Sequence, residues 1–147
     1  MAQEALLIDT YAILADFTGQ ATPRALRALE DVRAGRVTGV VHAMIIYELA
    51  YHWRMGRAPF LSEEELLTFI SSYFKVYRLS ESLTAKAAGV KVRGDEMLSS
   101  SSSLRHRRLS ACDSLTIAIA LEEGIPIVSG DKDLSYVAER LGVKVVW

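Results

Sequence analysis

Short apolar runs recur along the chain, separated by longer stretches in which apolar residues return every three or four positions. A short apolar run predicts a buried β-strand, and the three-to-four spacing predicts a helix with one buried face. The runs place strands at Ala5–Ile8, Val37–Val41, Lys75–Leu79, Ile125–Val128 and Val143–Val146. Because strands alternate with helices, we expect an α/β fold: one domain over residues 1–147, with a mainly parallel central sheet flanked by helices.

Helix boundaries follow from local signals. A helix start is marked by Pro23, at a first helical position, and another by the capping box at Ser62–Glu65. The helix after Ser62 is predicted to have Phe74 on its apolar face. A further helix is predicted from Ser80 to about Val92. The segment Gly94–Ser103 combines Gly, acids and five serines, which predicts a mobile loop.

Composition limits the classes of function. Half of the 147 residues are apolar and the net charge is −1, so the chain has no overall basic field for nucleic acid. The single cysteine, Cys112, excludes an intramolecular disulfide and favours a cytoplasmic protein. The first residues lack the features of a signal peptide, and no apolar run approaches the roughly 20 residues of a membrane span. We therefore expect no membrane partner.

Acidic residues stand at strand ends and helix starts. Asp9 follows the first strand, Asp113 lies at the start of a helix, and Asp131 and Asp133 follow the fourth strand. Taken singly, each of these has an ordinary explanation as a helix cap. Glu48 has none, because it lies in mid-helix among apolar positions, where an unpaired charge costs several kcal/mol.

Taken together, these acids predict a shared site. Strand ends and helix starts meet at one edge of a parallel sheet, so Asp9, Asp113 and Asp131 can converge there. Carboxylates that crowd together take up protons unless a cation neutralises them. A site of oxygen ligands, without clustered Cys or His, favours Mg²⁺ or Mn²⁺ over Zn²⁺. Such ions activate water and stabilise phosphoryl oxygens, so the residues themselves indicate metal-dependent phosphoryl chemistry.

Four motifs, in this order, resemble the PIN-domain family. They are Leu7-Ile8-Asp9-Thr10, Tyr47-Glu48-Leu49, Ala111-Cys112-Asp113-Ser114 and the segment Ile127–Leu134. Their order and spacing and the chain length are similar to those of the VapC-type toxin ribonucleases. The resemblance implies a Mg²⁺- or Mn²⁺-dependent endoribonuclease, in which metal-bound water attacks the RNA phosphodiester.

The resemblance also assigns residues and partners. Asp9, Glu48, Asp113 and Asp131 would be the catalytic, metal-binding acids, and Thr10, Ser129 and Asp133 would support them. Asp131 and Asp133 both fit the fourth motif, and Asp131 is preferred because it is nearer the strand end. The implied partners are an RNA substrate, a small antitoxin that occupies the active-site groove and a second copy of the chain in a homodimer.

The only strongly basic cluster, Leu104–Leu109, lies just before Asp113. Arg105, Arg107 and Arg108 are candidates for binding the RNA backbone, and a solvated surface is the alternative. Arg54 and Arg57 are a second, weaker pair of candidates. His42 and His52 are interpreted as structural, because no metal-ligand spacing pairs them.

Alternative functions have different requirements. A non-catalytic PIN-like module that binds RNA or protein would share the fold without cutting RNA. A phosphatase of the haloacid-dehalogenase type would need a second Asp two residues after Asp9, where this chain has Tyr11.

Overall fold

A computed structural model of the chain describes residues 4–147. Its strands are β1 (Ala5–Ile8), β2 (Thr38–His42), β3 (Phe74–Tyr77), β4 (Ile127–Val128) and β5 (Val145–Val146). They form one five-stranded sheet in the order β3-β2-β1-β4-β5, and every neighbouring pair is parallel. The predicted α/β fold with a parallel sheet is confirmed.

Seven helices flank this sheet within the described residues. They are α1 (Thr10–Phe17), α2 (Pro23–Arg33), α3 (Ala43–Arg54), α4 (Glu63–Tyr73), α5 (Glu81–Ser99), α6 (Ala111–Glu123) and α7 (Lys132–Arg140). The predicted starts of α2 and α4 are confirmed, since Thr22 and Ser62 accept hydrogen bonds from the backbone amides of Ala25 and Glu65. None of these helices is long and apolar enough to cross a membrane.

The sheet separates two apolar cores, because successive side chains of a strand point to opposite faces. Leu7 of β1 packs in the core with α5, α6 and α7, whereas Ile8 packs in the core with α1 to α4. Val40 and Val41 of β2 divide in the same way, as do Ile127 and Val128 of β4. All of these side chains are buried, so the strand ends that carry the acids are held from both sides.

The predicted loop at Gly94–Ser103 is wrong over its first half, because α5 continues through Gly94 to Ser99. Gly94 is buried in that helix, where a Cβ would lie 2.7 Å from Leu109 Cδ2 and 3.3 Å from Val137 Cγ1. A glycine is therefore needed for close packing at this point, and it does not end the helix. The composition of Gly94–Ser103 predicts a loop because composition does not show that Gly94 packs against Leu109 and Val137.

Several strand boundaries also differ from the prediction. Phe74 begins β3, paired with Gly39, and does not extend the preceding helix. β4 and β5 have two residues each, where four were predicted. Pro126, which lacks an amide hydrogen, stands directly before the observed start of β4.

Candidate functional site

Five acidic side chains line one pocket at the carboxyl edge of the sheet. The pocket has a volume of about 370 Å³, and Asp9, Glu48, Asp113, Asp131 and Asp133 are in its wall. Thr10, Ser110 and Arg108 line it as well. These acids come from the end of β1, from α3, from the start of α6 and from the start of α7, so they line a common pocket, as expected at the carboxyl edge of a parallel sheet.

Asp9 is held by a hydroxyl from the neighbouring strand end. Its backbone lies at the N-cap of α1, but its side chain makes no capping hydrogen bond. Instead, Ser129 Oγ donates to Asp9 Oδ2 at 2.7 Å, and the amide of Asp131 donates to the same Ser129 oxygen at 3.1 Å. The side chain of Asp9 is therefore directed into the site, and the helix-cap explanation does not apply to it.

Glu48 is positioned by the residue that follows Asp9. Thr10 Oγ1 donates to Glu48 Oε1 at 2.8 Å. On α3, Ile45 and Leu49 are fully buried, while Glu48 is half-buried at the margin of this apolar face. Each of these two acids is therefore oriented by its own hydroxyl group. The hydroxyl of Ser129 orients Asp9, and that of Thr10 orients Glu48.

Asp113 and Asp131 lie at capped helix starts as well as in the pocket wall: Ser110 caps the helix of Asp113, and Asp131 is itself a cap. The amide of Asp113 donates to Ser110 Oγ at 3.0 Å in the first turn of α6. Asp131 Oδ1 accepts from the amide of Leu134 at 3.0 Å and so caps α7. Asp131 therefore caps a helix and also lines the pocket.

A buried chain of hydrogen bonds fixes the start of α6. The amide of Met44 donates to His42 Nδ1, so the ring proton lies on Nε2, which contacts Thr116 Oγ1 at 2.8 Å. Thr116 in turn donates to the carbonyl of Cys112, next to Asp113. Burial lowers the pKa of His42 to about 4, so the ring is neutral and structural.

The carboxylates are close enough to change one another's ionisation. Burial raises the pKa of Asp113 to about 8, and the charges of Asp9 and Asp131 contribute to the rise. Burial also raises the pKa of Asp9 to about 6, against the lowering effect of the Ser129 hydrogen bond, and Glu48 and Asp131 raise it further. A pocket with this excess of negative charge attracts cations and protons.

The structure separates the three arginine candidates. Arg107 Nε donates to both oxygens of buried Asp133, at 3.1 and 2.9 Å, so this pair is a structural ion pair. Arg105 is exposed and contacts His106 without lining the pocket. Arg108 does line it and, among the described residues, has no salt bridge.

The donor set suits a hard divalent cation, because the pocket presents carboxylate and hydroxyl oxygens without an opposing thiolate or histidine pair. The arrangement is not preformed: within residues 4–147, no three Asp, Glu, His or Cys side chains converge closely enough to hold a metal ion. Burial and the neighbouring carboxylates together raise the pKa values of Asp9 and Asp113, and a bound cation would offset both effects by favouring the charged forms.

A second pocket adjoins the acids and was not predicted from the sequence. It has a volume of about 470 Å³, and Tyr11, Leu14 and His52 are shared between the walls of the two pockets. Trp147 and Arg57 also line the second pocket, and Trp147 meets Tyr11 edge to face with a centroid distance of 5.4 Å. The available signal was the position of Tyr11, two residues after Asp9, but nothing in the sequence pairs it with Trp147.

Fold and site together define an α/β protein with a carboxylate-rich pocket at the carboxyl edge of a parallel sheet. The chain matches the PIN domain over residues 6–140 and belongs to the PIN domain family.

Solved structures with the same fold come from several organisms. VapC20 of Mycobacterium tuberculosis, described as a sarcin-ricin loop cleaving toxin, is 18% identical, with a TM-score of 0.60 over 88% of this chain and 92% of that one. VapBC2 of Rickettsia felis, solved with a DNA fragment from its promoter, is 12% identical, with a TM-score of 0.65 over 96% of each chain. A Pyrobaculum aerophilum protein is 17% identical, with a TM-score of 0.63 over 97% and 90%. No curated protein sequence matches this chain.

Proposed function

We propose that this protein is a metal-dependent endoribonuclease and the toxin of a type II toxin–antitoxin pair. The observation that carries the proposal is the pocket lined by Asp9, Glu48, Asp113 and Asp131, with Arg108, which has no salt bridge among the described residues, in the same wall. The family and the VapC structures support a nuclease of the toxin–antitoxin class.

Asp9, Glu48, Asp113 and Asp131 would hold Mg²⁺ or Mn²⁺. When bound, such an ion supplies an activated water and stabilises negative charge on the phosphoryl oxygens. Ser129 and Thr10 fix the carboxylates of Asp9 and Glu48 by donating to them. Hydroxyls that bond to metal-binding carboxylates raise the affinity for the ion, because they hold the carboxylates in one orientation.

Arg108 offers the positive charge that an RNA phosphate needs beside an acidic pocket. Its guanidinium donates only to the carbonyl of Arg107 among the described residues, so hydrogen-bonding capacity remains for a ligand. The role of Asp133 differs from that of the four acids. Both of its oxygens accept hydrogen bonds from Arg107, so Asp133 holds the basic cluster Leu104–Leu109 beside the site.

The partners follow from the same proposal. We propose a small antitoxin that covers the acidic pocket, as in VapC-type pairs, and a cytoplasmic location, where the free thiol of Cys112 is stable. A homodimer is supported by the exposed apolar stripe formed by Tyr47 and Tyr51 of α3 and by Met55 directly after it, each more than half exposed. Light scattering of the purified protein tests the dimer.

The test of the activity is cleavage of labelled single-stranded RNA with Mg²⁺ or Mn²⁺ and with EDTA. We expect cleavage that depends on the ion and stops in EDTA. Cleavage that persists in EDTA would overturn the metal mechanism. RNA that binds without being cut under any of these conditions would favour the alternative, a non-catalytic PIN-like binding module.

A further inference from the structure

We propose that the pocket formed by Tyr11, Trp147, His52 and Arg57 binds an unpaired nucleobase of the RNA next to the scissile phosphate. The inference rests on the proposed function, because it adds a base-recognition subsite to the same substrate. The pocket lies beside the acids, and nothing in the catalytic proposal makes use of it.

Continuity with the acidic pocket is the first support. Tyr11, Leu14 and His52 line both pockets, so the two form neighbouring compartments with a common wall. An RNA strand that places a phosphate at the carboxylates would bring an adjacent nucleotide to this wall. The volume of about 470 Å³ is within the usual range for small-molecule sites.

The aromatic surface is the second support. Tyr11 is 45% exposed, which is high for an aromatic residue directly beside the site. Its ring and that of Trp147 meet at 81°, so each ring leaves a face that the other does not cover. Unpaired bases stack on such faces, and each stacked base contributes about 1–3 kcal/mol to binding.

Gly130 makes this arrangement of the rings possible. A Cβ at that position would lie 2.4 Å from Trp147 Cε2 and 2.6 Å from Tyr11 Cε1, so both rings rest against a residue without a side chain. Gly130 stands between Ser129 and Asp131. The chain segment that carries part of the acidic site therefore also forms the floor of the aromatic pair.

The polar groups of the pocket suit a nucleotide better than an apolar side chain. Arg57 is exposed, contacts His52 at 3.5 Å and has no salt bridge among the described residues. The side chain of Gln20 and the hydroxyl of Tyr11, both in the wall, make no hydrogen bond in residues 4–147. A cation and two free polar groups around aromatic rings match a base and its phosphate.

Fluorescence of Trp147 tests the subsite without any need for cleavage. The chain has two tryptophans, and Trp53 lies outside the pocket, so Trp53→Phe leaves Trp147 as the only tryptophan. In EDTA, this variant is titrated with single-stranded pentaadenylate RNA and with the same pentamer carrying an abasic central sugar. We expect the pentaadenylate to quench the emission and to bind at least about fivefold more tightly than the abasic pentamer.

Variants of Tyr11 separate stacking from apolar volume. Tyr11→Phe, which keeps the ring and loses only the hydroxyl, should retain most of the affinity for pentaadenylate, whereas Tyr11→Leu should lose at least about fivefold. Tyr73→Leu is the matched control, since Tyr73 is 40% exposed and lies outside both pockets. Thermal unfolding of each variant confirms that the fold is intact.

Three results would overturn the subsite: equal affinity for the base-bearing and abasic pentamers, equal affinity of Tyr11→Phe and Tyr11→Leu, or unchanged Trp147 emission with a protein that cleaves RNA in Mn²⁺. The last result would leave the nuclease standing and exclude a base from the pocket. Quenching by RNA in a protein that cleaves nothing would support the base subsite and contradict the nuclease.

Discussion

The hydroxyl of Ser129 donates a 2.7 Å hydrogen bond to Asp9, a residue 120 positions earlier in the chain. The same oxygen accepts the amide of Asp131, so one buried hydroxyl joins the ends of β1 and β4 and orients two of the acids. The distance between these acids in the folded protein is therefore set by a residue that does not itself carry charge.

We expect Ser129→Ala to lower RNA cleavage by roughly 10- to 100-fold, because Asp9 loses the donor that orients it. The unfolding free energy should fall by about 1–3 kcal/mol, since the amide of Asp131 loses its acceptor. Ser71→Ala is the control: Ser71 is exposed, and its hydroxyl bonds only to the carbonyl of Thr68. Equal cleavage rates for the two variants would contradict the orienting role.

Asp9→Asn should reduce Mn²⁺-dependent cleavage by at least about 100-fold, because a neutral amide replaces a charged oxygen at the centre of the acid cluster. The variant should fold normally and be at least as stable as the parent at pH 7.5, since repulsion in the cluster falls. Asp31→Asn, at an acid that pairs with Arg36 far from the pocket, should cleave like the parent. Full activity of Asp9→Asn would show that the site assignment is wrong.

Asp113→Asn should raise the melting temperature in EDTA, and the rise should grow with pH. The pKa of Asp113 is raised from 3.8 to about 8 by burial and the neighbouring carboxylates, so the folded state binds a proton that the unfolded chain has released. The stability due to this proton is complete below pH 3.8 and is lost as the pH rises through about 8.

Because Asn stays neutral, the melting temperatures of variant and parent should be close near pH 4. They should differ by roughly 10 °C or more near pH 9. Scanning calorimetry across this range, with Asp31→Asn in parallel, provides the measurement. A difference that stays constant with pH would count against carboxylate crowding.

His42→Asn tests the buried hydrogen-bond chain behind α6. The pKa of His42 is lowered from 6.5 to about 4 by burial. As the pH falls, His42 is therefore protonated in the unfolded chain before it is protonated in the folded protein. Stability from the neutral ring is present above pH 6.5 and is lost as the pH falls to about 4.

The parent should therefore be more stable than His42→Asn at pH 7, and its advantage should shrink by about 3 kcal/mol on going to pH 4. Chemical denaturation at several pH values measures this difference. The exposed His106→Asn should follow the parent at every pH. If the two histidine variants gave the same curve, the buried ring would not be the group responsible.

The three arginines of the basic cluster should respond differently to replacement by Ala. Arg107→Ala should lower the unfolding free energy by about 1–3 kcal/mol, because buried Asp133 loses its partner. Arg108→Ala should weaken RNA binding and make its salt dependence shallower, by about 0.7 in the slope for each lost phosphate contact. Arg105→Ala should have the smallest effect on both quantities. Titrations of RNA at several salt concentrations check the order.

The sequence was sufficient for the fold class and for the position of the acids, because both depend on local patterns. Glu48 was the informative residue, since an acid among apolar positions of a helix has few explanations, and the structure places it in the pocket beside Thr10. Asp131 shows the limit of such reasoning: it is a helix cap and also lines the pocket, two roles that the sequence treated as alternatives.

Contacts between distant parts of the chain were beyond the reach of these patterns. Arg107, one of the RNA-binding candidates, pairs with Asp133, and the contact of Gly94 with Leu109 lies within a helix that continues into a predicted loop. The pocket beside the acids depends on Trp147 reaching Tyr11 from the other end of the chain. In each case, the deciding contact joins residues that no periodicity or spacing relates.

The first turns of α1 connect the two pockets. Thr10 holds Glu48, whereas Tyr11 and Leu14 belong to both walls. A small rotation of α1 about its axis would move the hydroxyl of Thr10, which holds Glu48, together with the ring of Tyr11. If the subsite is occupied by a base, the RNA sequence preference and the cleavage rate are mechanically linked through α1, and a variant selected for a new target should change its turnover at the same time.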